Sequence, residues 1–284
     1  MALFDWLKRD KTKPATGRAP GMIVLLDALP EIDPAQAARE LAAIEPLRVA
    51  PRIEFDGRNG SADFDAHSIA IVGRDGPAPA TVMDKTVKVS NWTGESRQAL
   101  ENHAAHLVLM HGGGAAPMLE KYIALYKLAA VLGGDQLRGV LIEDAWTCAP
   151  AAMVREFTSP EMLKAFREST PPILFTGFVL FHTDDGAWFA SKGQHMFNAP
   201  DLVMFAPEEQ PSEVLELFMN IFLYVTGSKA RIAAGHTLQI AEEAYLRFSE
   251  LAADNPWREW LQGAEETLEL KRISKAEINP GGRR

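Results

Sequence analysis

Asp184-Asp185-Gly186 separates two apolar runs, residues 173–181 and 187–191, and no other stretch restricts the fold as much. An Asp-Gly step between strand-like runs is the chemistry of a tight hairpin, because the glycine accepts the positive φ that such a turn imposes. A hairpin is antiparallel, so the chain does not form the strictly alternating, all-parallel sheet of a doubly wound fold.

The other periodicities agree. Met22-Ile23-Val24-Leu25-Leu26 is continuously apolar, as expected of a strand covered on both faces. Asp33-Pro34 supplies a capping carboxylate and a first-turn proline, and Ala37, Ala38, Leu41 and Ile44 follow at helical spacing. Further strands are expected at 49–55, 67–72, 106–110, 139–142 and 202–205, with a weaker one at 81–89 and a turn-rich loop at 57–63. Helices are expected from Trp92 to about Ala104, over 116–132 with Gly133-Gly134 as the stop, over 159–168, over 212–225 ended by Gly227, and over 257–270. This order predicts the α+β class: a mixed, largely antiparallel sheet with helices packed on it, a layered α/β sandwich.

Length and composition bound the rest. At 284 residues, 22–270 form one domain or two similar halves, 22–145 and 146–270, with a flexible tail at 271–284. A formal net charge of -9 argues against nucleic acid as a partner. One cysteine, Cys148, excludes an internal disulfide and fits a reducing, cytoplasmic setting; with no activating motif around it, it reads as an inert thiol. No apolar run reaches the ~18 residues of a spanning helix, so no transmembrane segment is expected. Leu3, Phe4, Trp6 and Leu7 beside Lys8, Arg9, Lys11 and Lys13 form a short amphipathic segment before a linker at 10–21. Such a segment is suited to weak peripheral contact with a membrane or to a partner, though a terminus packed on itself has the same composition.

Four segments, in order, carry a family likeness. They are Met22 to Pro30 with Ile32-Asp33-Pro34, His103-Ala104-Ala105-His106-Leu107-Val108, Lys192-Gly193 with Met196-Phe197, and Gly235-His236-Thr237-Leu238. Together they resemble the bacterial family called domain of unknown function 4261, over roughly residues 22–250. The chain departs from that pattern at His236, where an acidic residue is expected, and at Asp201, where glutamate is expected. The resemblance implies a bacterial cytoplasmic protein without an assigned reaction, so no catalytic residue carries over. It also implies a setting among proteins of inter-bacterial conflict and secretion, type VI secretion included.

Several groups invite a chemical reading. His103 and His106, at i and i+3, share a helix face and are the candidate zinc ligands; a third would come from His67, His182, His195, His236 or a carboxylate. His111 lies beyond a short strand, about 17 Å away if extended, so the three do not meet without a turn. The alternative for His106 is a strand-entry histidine bonded to backbone. Gly112-Gly113-Gly114 lacks the Lys-Ser or Lys-Thr of a phosphate loop and reads as a flexible turn. Lys192 and His195, near one turn, and His236 and Thr237, in another loop, are the candidate ligand-binding residues: if they converge they make a polar pocket for an anionic ligand. Glu143-Asp144 reads as exposed loop charge, and Trp257, Trp260 and Leu261 as a strip that docks on the core.

No complete catalytic set emerges, which leans against an enzyme. The leading expectation is a non-enzymatic, cofactor-free protein that binds another protein, a toxin or a secretion component, in an immunity or accessory role. Its acidic balance suits a basic partner face. The alternative is a small hydrolase or ligand-binding enzyme with a histidine-containing pocket, with zinc as its cofactor.

Overall fold

A computed structural model describes residues 19–255, 257–261 and 267–278. The amphipathic Leu3, Phe4, Trp6 and Leu7, most of the linker, and residues 279–284 lie outside the described residues. Among the described residues no helix is long and apolar enough to cross a membrane.

The fold is α+β, built on two sheets where one was expected. The first contains β1 (Gly21–Leu26), β2 (Arg52–Phe55), β3 (Asn59–Phe64), β4 (His67–Asp75), β5 (Ala105–His111), β6 (Leu137–Ile142) and β7 (Thr147–Pro150). Its order is β2-β3-β4-β5-β1-β6-β7, and every neighbouring pair is antiparallel. The second contains β8 (Gly177–Thr183), β9 (Gly186–Lys192), β10 (Asp201–Phe205), β11 (Thr237–Gln239), β12 (Ala244–Glu250) and β13 (Thr267–Ser274), in the order β11-β12-β13-β10-β9-β8. Only β10 and β13 run parallel.

β1 shows why its run is apolar without interruption. Met22, Val24 and Leu26 enter the main core, while Leu25, flanked by Ile23, faces a second cluster beneath α2 (Ala80–Thr86) and α3 (Gly94–Glu101). Successive side chains point to opposite faces, so a strand covered on both sides needs an apolar residue at every position. The main core rests on α4 (Met118–Gly133), which is buried almost all round. It packs on the first sheet and on α1 (Pro34–Ile44) and α5 (Ala151–Phe157). Tyr122 of α4 stacks on Phe175 and Phe197 at 5.4 and 6.0 Å between centroids, and Phe175 meets Phe222 of α7 (Pro211–Ser228) at 6.0 Å. One apolar core therefore joins both sheets. Each large side chain in it contributes about 1.5–3 kcal/mol by leaving water.

Helix starts follow their caps. Asp33 accepts hydrogen bonds from the Ala35 and Gln36 amides at 2.9 and 3.3 Å. Ser159 accepts one from Met162 ahead of α6 (Pro160–Glu168). A short α8 (Lys275–Ile278) follows β13, in the region expected to be a flexible tail.

Several expectations are corrected. Residues 81–89, expected as a strand, hold helix α2, whose Val82 and Thr86 are buried one turn apart. The 57–63 loop is mostly β3. Residues 267–270, expected in a helix, belong to β13, where Leu268 and Leu270 point inward. Residues 172–174 form a 3-10 turn that leaves Ile173 exposed, so β8 begins only at Gly177. Helix α7 runs through Gly227 and ends where Lys229 takes a left-handed φ of 56°. Strands β7, β11 and β12 and helix α5 were not anticipated.

Candidate ligand-binding site

The β8–β9 hairpin expected at Asp184-Asp185-Gly186 is present, and β9 then pairs antiparallel with β10. The register sets Ala190 opposite Val203, so two further steps bring Lys192 opposite Asp201. Between them Gly193, at φ 104°, starts the 3-10 turn 194–197, and Asn198 ends it at φ 60°. The turn folds His195 back over Asp201. Asp201 Oδ2 accepts from His195 Nδ1 at 2.7 Å, and Oδ1 accepts from the His195 amide at 3.3 Å. Lys192 Nζ sits 3.0 Å from the same Oδ2. Asp201 is 0% exposed. A carboxylate so deep in the protein survives because Lys192 and His195 are on it; left alone it would cost several kcal/mol.

His195 also lines a cleft of about 1310 Å³. One wall comes from α4 (Met118, Lys121), one from the 195–200 turn, and one from the end of α7 and the loop after it. That last wall carries Lys229 and Arg231, both exposed. Burial lowers the pKa of the Lys121 ammonium. Glu250 is the carboxylate that faces these cations in the cleft lining. Apolar groups, among them Met118, Phe197, Val225 and Ile232, fill the remainder.

The structure thus brings Lys192 and His195 together on one carboxylate. His236 and Thr237 do not join them: both are exposed, His236 at the end of the loop whose Ala233 and Ala234 line the cleft, and Thr237 at the start of β11. His236 Nδ1 accepts instead from the Ala233 amide at 3.4 Å. Asp201, Lys121, Lys229 and Arg231 were not anticipated as site residues. A charged residue directly before the fully buried Leu202-Val203-Met204 run was the available signal for Asp201.

His103 and His106 serve the backbone. His103 Nδ1 donates to the Leu100 carbonyl at 2.7 Å and Nε2 accepts from the Ala78 amide at 2.7 Å, which leaves neither ring nitrogen a lone pair for a metal. Burial lowers its pKa. His106 Nδ1 donates to the Gly76 carbonyl at 3.0 Å. His111 Nδ1 accepts from the Gly113 amide, so its Nε2 carries the proton and donates to His67 Nδ1 at 3.0 Å. Burial, with the charges of His67 and Lys121 adding to it, pushes His111 down to about 4. Among the described residues no group of three or more histidine, cysteine, aspartate or glutamate side chains is arranged to hold a metal.

The remaining features have quiet roles. His182, Glu143 and Asp144 are exposed. Cys148 is buried, and burial pushes its thiol up to about 11, so it is not a nucleophile at neutral pH. Trp257 stacks on Phe181 at 4.2 Å and Leu261 is buried, a docking strip on the outer face of the second sheet; Trp260 stays 44% exposed.

Comparison with protein-family models, with curated proteins and with solved structures finds no match.

Proposed function

We propose that this protein binds an anionic organic ligand in the cleft beside His195. The observation that carries this reading is a local reversal of charge: a chain of net charge -9 places the exposed Lys229 and Arg231 on the wall of a cleft in which, among the described residues, Glu250 is the one carboxylate. Cations concentrated in a concave site with low-dielectric walls draw and hold an anion. The apolar lining suits a ligand whose charged head sits at Lys229 and Arg231 and whose body lies against Phe197, Val225 and Ile232.

Isothermal titration with octyl phosphate, sodium octanoate and uncharged octanol tests this. The two anions should bind saturably and octanol should not. The double variant Lys229→Glu, Arg231→Glu should weaken the anions at least tenfold, about 1.4 kcal/mol. Equal binding of octanol, or no binding of any probe, sinks the reading.

A second reading, protein binding in an immunity or secretion-accessory role, the setting the resemblance implies, is favoured by the outer face of α7. Leu215, Leu223 and Tyr224 are exposed there, and Leu215, Met219 and Leu223 follow one another at four-residue spacing. Leu223→Asp, outside the cleft, separates the two: it leaves octyl phosphate binding intact and removes a partner held by that face.

A further inference from the structure

We infer that His195, oriented by Asp201, is the general base of a hydrolytic site in this cleft, acting on a carboxylic ester or thioester that carries an anionic group. The inference rests on the reading of the cleft as an anion site.

A general base needs a ring that cannot rotate, a fixed tautomer, and a free nitrogen facing the substrate. Asp201 supplies the first two. Its two oxygens hold one residue twice, through the ring at 2.7 Å and through the backbone amide at 3.3 Å. A carboxylate only accepts, so the ring proton is on Nδ1 and Nε2 keeps its lone pair. Among the described residues Nε2 has no hydrogen-bond partner, although the side chain is only 15% exposed and lines the cleft. The molecule contains its own contrast. His103 and His111, which hold loops together, have both ring nitrogens engaged.

Two buried polar side chains flank the Asp201–His195 pair behind the cleft wall. Among the described residues, Gln194, next in the chain to His195, is fully buried with neither end of its amide partnered, and Thr267, paired with Asp201 across β10 and β13, keeps an unpartnered hydroxyl. Buried polar groups without partners are rare in folded proteins, and a bound water between such groups is one way they are satisfied.

The chemistry balances without a metal or an oxidant. His195 Nε2 takes a proton from water as the water oxygen bonds to the carbonyl carbon, and the carbonyl pair moves onto its oxygen. The intermediate collapses, the bond to the leaving oxygen or sulfur breaks, and the imidazolium returns the proton to that atom. Ester and water give acid and alcohol, or acid and thiol.

The test follows nitrophenolate release by the full chain from mono-4-nitrophenyl glutarate, an anionic ester, and from neutral 4-nitrophenyl butyrate. Saturable turnover with at least a tenfold preference in kcat/KM for the anionic ester is expected. His195→Asn retains a donor for Asp201 and lowers kcat about 100-fold or more with the fold kept. In the wild type kcat falls in heavy water, since a proton passes to Nε2 in the step; the variant's residual rate lacks that dependence. Should His195→Asn unfold, the wild-type solvent isotope effect and saturation decide alone. Binding of octyl phosphate without turnover, or wild-type kcat in His195→Asn, overturns the general base and leaves the anion site standing. Turnover without preference for the anionic ester overturns the anion reading and, with it, the substrate class.

Discussion

Gly193 holds a φ of 104° in a crowded place: a Cβ there would come within 2.3 Å of the Phe175 carbonyl oxygen and 2.6 Å of Ala145 Cβ. Gly227, in the last turn of α7, has nothing within 4 Å of the same position. The two glycines should therefore respond oppositely to alanine. Gly193→Ala forces a strained backbone and a collision with main chain, and should destabilise by about 2 kcal/mol or more. Gly227→Ala adds helix propensity in open space and should stabilise by about 0.5–1 kcal/mol. Urea denaturation midpoints of the two variants check both signs. The same locality explains what was legible in the site. Lys192 and His195 stand three apart after a hairpin, so their neighbourhood could be read directly. Asp201 reaches them only through the β9–β10 register, and Arg231 reaches the cleft only through the path of the chain after α7, neither of which any spacing encodes.

Arg167 of α6 ties three elements together. Its guanidinium reaches Glu120 of α4, at 2.7 Å through Nε, and Glu45 just past α1, at 3.1 Å through Nη2. Lys127 of α4 adds a contact to Glu45 at 3.4 Å. The hydrogen bond from Arg167 is the main reason the Glu45 carboxyl is held below its ordinary range. Arg167→Ala would remove the cation that Glu120 and Glu45 share and leave Glu45 with Lys127. The expected cost is about 1–3 kcal/mol, seen as a thermal midpoint several degrees lower in calorimetry. At this scale the sequence was legible where caps or strict periods were present, as at Asp33, Ser159 and Met22 to Leu26. It misled where propensity and burial disagreed. Residues 80–86 include β-branched Thr81, Val82 and Thr86, yet they form a helix because one face covers Leu25 and Leu141 of the first sheet. Thr267 to Ser274 reads TLELKRIS, a pattern compatible with either period, and pairing with β10 and β12 decides for strand.

Across the whole molecule, buried histidines set the response to acid. Burial lowers the pKa values of His67 and His103 and brings His111 to about 4. A base whose folded pKa lies below its unfolded value binds fewer protons in the native state, so its contribution is present above the unfolded value of 6.5 and is lost as the pH falls toward the folded one. Glu45, held low, acts in the same direction at lower pH, losing its contribution below the ordinary carboxyl range. Thermal midpoints should therefore fall from pH 7 to pH 4, and His111→Asn should flatten that slope. Each pKa unit is worth about 1.4 kcal/mol, so His111 alone can move the midpoint by several degrees. An equal slope in the variant would remove His111 as the cause. The α+β class was legible from one hairpin and uneven strand spacing, whereas the make-up of the second sheet was not, because it is joined by the parallel β10–β13 pairing between segments more than sixty residues apart. That pairing has a consequence for synthesis. β13 is translated after every strand it joins, yet it occupies the interior of its sheet, so a nascent chain carries β10 and β12 as two open edges with no mate until residues 267–274 emerge. During that interval the half-made sheet is the part of the molecule most prone to misjoin, and a chaperone that shields extended backbone would find its work there.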